Sequence, residues 1–497
     1  MPLRSLFHTN HSSHGKDALT RGGYNAYLES LSRCDSEKAE EQKGKVISKL
    51  LEKKDVRALR YIGLGPLGFV NNSLRRDCWY ELLASQLLID DATEYITPVE
   101  KHKDEGQVIL DAERSFGGIV DKNLKLQLRK LLVELITRVL RKYPTLNYYQ
   151  GYHDIVSVFI MCFSWNVTKE NGLELENLSL QEEIDMERLF YCIEAFTLLY
   201  LRDFMMNSLD FSFEQLRVIS SLIKESNMKF YNLFKFDENE PLFAIGSILT
   251  IFAHNLKPID SGDNNLHKIL FQIFDMTISM QSMRLPLIIY KNLLLQNASE
   301  ISKQIEANSD FFENDFDLRH GAIQTVLQKK LYDEALWEEV LQITRKDATT
   351  ASKKALKRVS LNKYSALLNT ACGKPGCFDM STIIFYLSEQ TKMNEHYKEE
   401  KYHGVAARSK TRALVQRLGH FLPSKYNRWS KISLLIGIVA ILYQLRTTRS
   451  LSLVLNLRYM ISTKLKDLSH ININLHHVSH IWVDPIRDIL KLGHPTR

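Results

Sequence analysis

Asn147-Tyr148-Tyr149-Gln150-Gly151-Tyr152-His153-Asp154 runs directly into Ile155-Val156-Ser157-Val158-Phe159-Ile160-Met161. The second half is apolar nearly all round, the pattern of a helix enclosed by other helices. Upstream, Leu124 to Lys142 puts Leu128, Leu131, Leu132, Leu135 and Val139 on one face, and Pro144 closes that helix. Asn147 stands where it can cap the next helix. Gln150 is therefore expected in the first turn of a core helix, rigidly held yet near the surface.

Outward from this stretch the helical pattern recurs. Gln42–Arg60, Ser73–Leu83 (with Ser73 as N-cap), Met186–Phe204, Phe211–Phe234, Pro241–Leu256, Leu266–Met280 and Leu285–Ala298 all space apolar residues at helical intervals. Two further helices are expected around Leu318–Lys330 and Leu331–Thr344, and an acidic loop insertion over Asn166–Asp185. No strand alternation of any length appears, and no fixed-period repeat, which argues against a solenoid. Gly 21 and Pro 11 in 497 residues fall well under the usual roughly 12%, and β-rich chains consume such turn residues. The fold class is all-α.

Gly63-Leu64-Gly65-Pro66-Leu67-Gly68 formally spells G-x-G-x-x-G, with Asp90 some way on. No strand precedes it, Pro66 interrupts it and no βαβ unit surrounds it, so it reads as a glycine-rich helix breaker rather than a dinucleotide cradle. Six scattered cysteines (Cys34, Cys78, Cys162, Cys192, Cys372, Cys377) suit reduced thiols in a cytosolic protein better than a disulfide framework. Cys372 and Cys377 lack a second pair for zinc, and His476, His477 and His480 lack carboxylate or thiol partners; no metal site is expected. The opening Met1–Arg21 is too poor in apolar residues for a targeting peptide.

The chemistry rests on two side chains. Gln107-Val108-Ile109-Leu110-Asp111-Ala112-Glu113-Arg114-Ser115 offers an arginine three residues after an aspartate, close to the Gly117-Gly118 break. Gln150 offers an amide. A cation for the charge on a transferring phosphoryl group and an amide to orient water are what nucleoside triphosphate hydrolysis needs. Taken singly, Arg114 reads as a surface partner of Asp111 and Gln150 as a hydrogen-bonder at a helix start.

Their order is more specific. Arg75-x-x-x-Trp79, then Val108-x-x-Asp111-x-x-Arg114, then Tyr148-x-Gln150-Gly151-x-x-Asp154 resembles the three-motif signature of the TBC domain, the Rab GTPase-activating family. Pro241–Leu256 and Leu270–Asp275 resemble later segments of the same family, for coverage of roughly residues 60–345. Val108 stands where Ile is usual, a harmless volume change, and His153 where many members carry Asn. The resemblance implies a GTPase-activating protein that accelerates GTP hydrolysis by a Rab-type small GTPase in its GTP form and so regulates vesicle transport. Arg114 would be an arginine finger supplied in trans, and Gln150 a glutamine finger orienting the attacking water. Asp111 would hold Arg114, Tyr148, Gly151 and Asp154 would support the glutamine turn, and Arg75 and Trp79 would be structural. The protein would need no cofactor of its own, since Mg²⁺ and GTP belong to the partner. A catalytically inactive Rab-binding scaffold and a basic membrane adaptor are the alternatives.

The domain plan is a flexible extension (1–45), a TBC domain (46–345), a basic linker (346–430), a candidate transmembrane or membrane-inserted helix (431–446) and a tail (447–497). Ala351–Arg497 carries 24 Lys/Arg against 8 Asp/Glu, while the body is net acidic; such a basic third faces something anionic. Ile432 to Leu445 is free of charge and as a helix spans about 21 Å, which flanking Trp429, Lys431 and Arg446 extend by snorkelling toward the roughly 30 Å hydrocarbon core. Leu451–Ile461 carries Arg458 and reads as interfacial. On charge alone anionic lipid and nucleic acid both qualify. Tyr148-Tyr149-Gln150-Gly151-Tyr152-His153-Asp154-Ile155-Val156, however, most resembles a membrane-anchored branch of the family. That resemblance implies a membrane and no nucleic acid, with the catalytic domain in the cytosol and the anchor in an endomembrane such as the ER or Golgi. Activity is expected to survive removal of residues 346–497.

Overall fold

The computed structural model describes residues 36–89, 100–170, 184–236, 240–256, 266–308, 315–350, 356, 358–369 and 378–393. The initial extension up to residue 35, Cys372 and Cys377, the 431–446 segment and the His-rich tail lie outside the described residues. Among the described residues no helix is long and apolar enough to cross a membrane.

The chain folds as a succession of helices. The first are α1 (Ser36–Glu52), α2 (Val56–Leu64) and α3 (Asn72–Ala84), followed by a two-residue strand β1 (Leu87–Leu88). Then come α4 (Glu105–Glu113), α5 (Lys122–Lys142), α6 (Tyr152–Glu170) and α7 (Met186–Phe196), the last running into a π-helical turn over Thr197–Leu201. Next are α8 (Asp210–Ser226), α9 (Met228–Phe234), a 3₁₀ turn (Leu242–Ala244) and α10 (Ile245–Leu249). After these come α11 (Leu266–Met280), α12 (Arg284–Gln296), α13 (Ala298–Asn308), α14 (Asp315–Lys330) and α15 (Glu334–Thr350). Beyond it lie α16 (Ala366–Asn369), β2 (Phe378–Asp379) and a helix α17 over residues 380–393. The all-α expectation holds apart from the parallel β1–β2 pair, in which Leu87 lies opposite Phe378.

An aromatic chain knots the centre. Trp79 of α3 meets Phe159 of α6 edge-on at 5.0 Å, Phe159 meets Phe196 of α7 at 5.1 Å, and Phe196 stacks on Phe274 of α11 at 5.8 Å. Four helices far apart in sequence thus share one core, and each such ring buries about 150–250 Å².

Several helix ends differ from the sequence reading. Asn71, not Ser73, caps α3: its side chain accepts from the Leu74 N–H at 3.0 Å. The single helix expected over 42–60 is two, because Lys54 adopts a left-handed φ of 51° and Asp55 caps α2 through Ala58 N. Asn227 ends α8 and caps α9, splitting Phe211–Phe234. Pro241–Leu256 is a 3₁₀ turn, one short helix and a left-handed kink at Ile251 (φ 49°) and Phe252 (φ 64°). That kink buries Phe252 between Tyr290 and Trp337, contacts that offset the cost of two non-glycine residues in the left-handed region.

The stretch read as a linker is also partly folded. Beyond Thr350, Tyr364, Ala366, Leu367, Ile383 and Leu387 are buried. The reason is Asp203, fully buried after the π-helical turn. Its carboxylate accepts from Ser365 Oγ (2.5 Å), Ala366 N (2.9 Å), Gln390 Nε2 (2.7 Å) and Gln215 Nε2 (2.6 Å). Beside it Arg202 donates to the Tyr364 carbonyl at 3.1 Å. Segments 358–369 and 378–393 therefore belong to the body.

Candidate functional site

Helix α4 ends at Glu113, which leaves Arg114 as its C-terminal cap with the side chain 63% exposed. Three residues back, Asp111 is fully buried. One turn of helix brings i and i+3 together, and the Arg114 guanidinium donates to Asp111 Oδ1. Gln107 Nε2 donates to the same oxygen at 3.1 Å. The other oxygen, Oδ2, accepts from the Tyr148 hydroxyl at 2.8 Å. A buried carboxylate is tolerated only when so partnered, and each partner here belongs to one of the two motif segments.

Gln150 does not lie in the first turn of α6. It sits in an exposed turn just before the helix, which begins at Tyr152. Asn147 does not cap α6 either. Its backbone and side-chain N–H groups both donate to the Met205 carbonyl, at 2.8 and 3.1 Å, and its Oδ1 receives Lys103. Tyr148 N donates to Asp104 Oδ2 at 2.9 Å, and the Tyr149 hydroxyl donates to the Leu249 carbonyl at 2.8 Å. The loop is thereby tied to both ends of α4, to the chain after the π-helical turn and to α10. Gly151 completes it with φ of +115°, where a Cβ would come within 2.7 Å of Thr250 Cγ2. Only glycine suits that position.

Arg114, Gln150, Gly151, His153, Asp154, Thr250 and His254 share the wall of one open cleft of about 350 Å³. Phe116, at φ 58°, turns the chain after Arg114 along its edge. Asp154 Oδ2 lies 3.0 Å from His254 Nδ1, and its Oδ1 lies 3.5 Å from His153 Nε2. His153 Nδ1 is in turn 2.8 Å from the Tyr148 hydroxyl. Burial, reinforced by the hydrogen bond to Asp111 and its charge, drives the Tyr148 phenol far above the ordinary tyrosine range, so it stays a donor. Burial does the same to Tyr149. Among the described residues no three His, Cys, Asp or Glu side chains converge to hold a metal ion.

Arg75 and Trp79 are absent from the cleft. Both bind Asp275, the one carboxylate of α11: Arg75 Nε at 2.9 Å and Trp79 Nε1 at 2.8 Å, joined by Phe69 N at 2.9 Å. Arg75 also lies over the Phe271 ring at 4.7 Å. Of the residues read from sequence, Asp111, Arg114, Tyr148, Gln150, Gly151 and Asp154 thus gather at or directly behind one cleft, while Arg75 and Trp79 form a separate buried clamp. Asp104 and His254 escaped sequence reading, because neither sits at a patterned spacing from the loop it supports. Asp275 carried a signal, the single acid of its helix, set in the apolar stretch Ile273-Phe274-Asp275-Met276.

Residues 72–307 match the Rab-GTPase-TBC domain family. The chain is similar to the GTPase-activating protein GYP8 of Saccharomyces cerevisiae, at 99% identity across the full length of both. It is 26% identical over 320 residues to the GTPase-activating protein gyp10 of Schizosaccharomyces pombe, covering 64% of this chain and 75% of that one. A crystal structure of the Ypt/Rab-GAP domain of Gyp1p aligns with 62% of this chain and 99% of its own, at 15% identity and a TM-score of 0.43. By the domain match and its full-length 99% identity to GYP8, the chain belongs to the Rab-GTPase-TBC domain family.

Proposed function

We propose that this protein accelerates GTP hydrolysis on a Rab-type small GTPase, with Arg114 and Gln150 entering the partner's nucleotide site in trans. The observation that supports this reading is that both side chains are exposed on one cleft and share a buried support, the Asp111–Tyr148 pair. Arg114 meets the charge developing on the γ-phosphoryl oxygens, and Gln150 orients the attacking water. Asp111 fixes the direction of Arg114, while Gly151 sets that of Gln150. Asp154, between two histidines, braces the floor behind them. GTP and Mg²⁺ arrive with the partner. Leu110, one helical turn before Arg114 and 56% exposed, offers apolar contact on the same face.

Single-turnover GTP hydrolysis across a panel of Rab proteins tests the proposal. Arg114→Ala is expected to cost on the order of 10³–10⁵ in rate, about 4–7 kcal/mol of barrier, and Gln150→Ala a comparable fraction. Full acceleration by both variants would refute it.

The charge-free run Ile432–Leu445 and the acid-free, basic stretch Lys401–Lys431 before it support a second element of the proposal, attachment to an endomembrane with the catalytic body in the cytosol. Carbonate extraction of membranes tests this; release into the soluble fraction counts against an inserted segment.

A further inference from the structure

A second cleft, also of about 350 Å³, lies on the α8 face. It is lined by Arg217, Ser220, Ser221 and Lys224 of that helix, by Glu240, and by Arg358-Val359-Ser360 from beyond α15. The latter segment runs antiparallel to α8. At one end Arg358 pairs with Glu225 at 3.2 Å, and at the other the Asn362 N–H donates to Glu214 at 2.7 Å. Ser360, exposed, therefore stands over the middle of the helix.

Three further observations meet there. Ser220 is only 8% exposed, and its Oγ is buried without a hydrogen-bond partner among the described residues. Cations crowd the cleft: Arg358, Arg217 (held by Glu240 at 2.7 Å) and Lys224, whose ammonium lies 4.9 Å from the Tyr231 ring centre. Two acids, Glu225 and Glu240, offset three cations, and Glu214 lies toward the far end. Finally, Lys357-Arg358-Val359-Ser360 is the one place in the sequence where two adjacent basic residues stand three and two positions ahead of a serine or threonine. Kinases with acidic substrate grooves read that arrangement, since a pair of cations before the acceptor complements a pair of carboxylates in the enzyme.

We propose that Ser360 is a phosphorylation site for a basophilic protein kinase, and that the phosphate settles into the α8 cleft. In the transfer, Ser360 Oγ bonds to the γ-phosphorus of ATP as the bond from that phosphorus to the β-phosphate oxygen breaks. ADP departs and the hydroxyl proton passes to the kinase's base. The product carries about −1.5 to −2 charge and three acceptor oxygens, which the Lys224 ammonium, the Arg217 guanidinium and the idle Ser220 hydroxyl are placed to receive. The modification then fastens the segment leading to Tyr364 and Ala366 onto the body.

The test uses the full chain, ATP and the purified catalytic subunit of a cyclic-AMP-dependent protein kinase, with sites mapped by tandem mass spectrometry. Ser360 is expected to be modified, and Ser360→Ala to lose that phosphate. The ³¹P titration midpoint of the phosphoserine should lie about one unit below its ordinary value near 6, because neighbouring cations favour the dianion. Lys224→Ala should return it upward. Absence of phosphate on Ser360 overturns the site, and an ordinary midpoint unaffected by Lys224→Ala overturns the docking.

Discussion

Tyr148 donates its hydroxyl to Asp111 Oδ2 across 2.8 Å while Arg114 occupies the other oxygen of the same carboxylate. One buried acid thus sets the direction of the arginine and anchors the loop that carries Gln150. Tyr148→Phe keeps the ring packing and removes only this bond. Single-turnover GTP hydrolysis should slow about tenfold, the equivalent of roughly 1.4 kcal/mol, alongside a fall in thermal stability because the buried Asp111 Oδ2 loses its donor. A loss confined to the melting temperature would mean that the bond is merely structural.

Gly151→Ala adds a methyl that meets Thr250 Cγ2 at 2.7 Å, at a φ of +115° that alanine resists. The loop must shift, and Gln150 with it. Rate acceleration should drop at least tenfold while the fold persists by circular dichroism. Thr250→Ser in the same chain relieves the clash but not the backbone strain, so recovery should be partial.

Asp275→Ala leaves Arg75 buried and unpaired and strands the Trp79 and Phe69 donors. Breaking one side of a buried pair costs about 3–5 kcal/mol. Urea unfolding should show a large fall in midpoint. Asp275→Asn, which keeps an acceptor without the charge, should fall between this variant and the native chain.

Asp203 argues against the expectation that residues after 345 are dispensable. Ending the chain there removes Ser365, Ala366 and Gln390 from its carboxylate and Tyr364 from Arg202. A chain stopping at 345 should unfold at lower temperature and aggregate, whereas one stopping at 393 should keep native stability. Equal melting temperatures would show that solvent replaces these partners.

Lys43 is fully buried against the Pro66 carbonyl, and desolvation, with Arg345 nearby, lowers its pKa to about 7. The folded state thus binds fewer protons than the unfolded chain between pH 7 and the ordinary lysine value. Stability should therefore rise as pH increases from 7. Above about pH 8.5 the buried thiols of Cys78, Cys162 and Cys192, whose pKa values burial raises, begin to oppose the gain. Lys43→Met should flatten the slope of melting temperature against pH between 7 and 8.5.

What the sequence revealed depended on how local the cause was. Leu266–Met280 was legible from end to end because its apolar spacing is its own. Arg114 and Asp111 were legible as a pair because one helical turn joins them. Asn147 was misread as a cap, since its partner is the Met205 carbonyl, 58 residues away. The kink at Ile251 and Phe252 was invisible for the same reason: burial against Tyr290 and Trp337, not local preference, holds it. The folded segment after residue 360 carries apolar residues enough, Leu367, Ile383 and Leu387 among them, but in short runs, and only the acid it covers explains where it docks.

The Asp275 clamp also has a meaning in time. Its ligands at residues 69–79 leave the ribosome about 200 residues before it does. At roughly 5–20 residues per second that is a wait on the order of 10–40 s, during which a guanidinium and an indole destined for the interior have no place to go. Until α11 emerges, the first three helices lack the acceptor that their buried donors share in the folded protein.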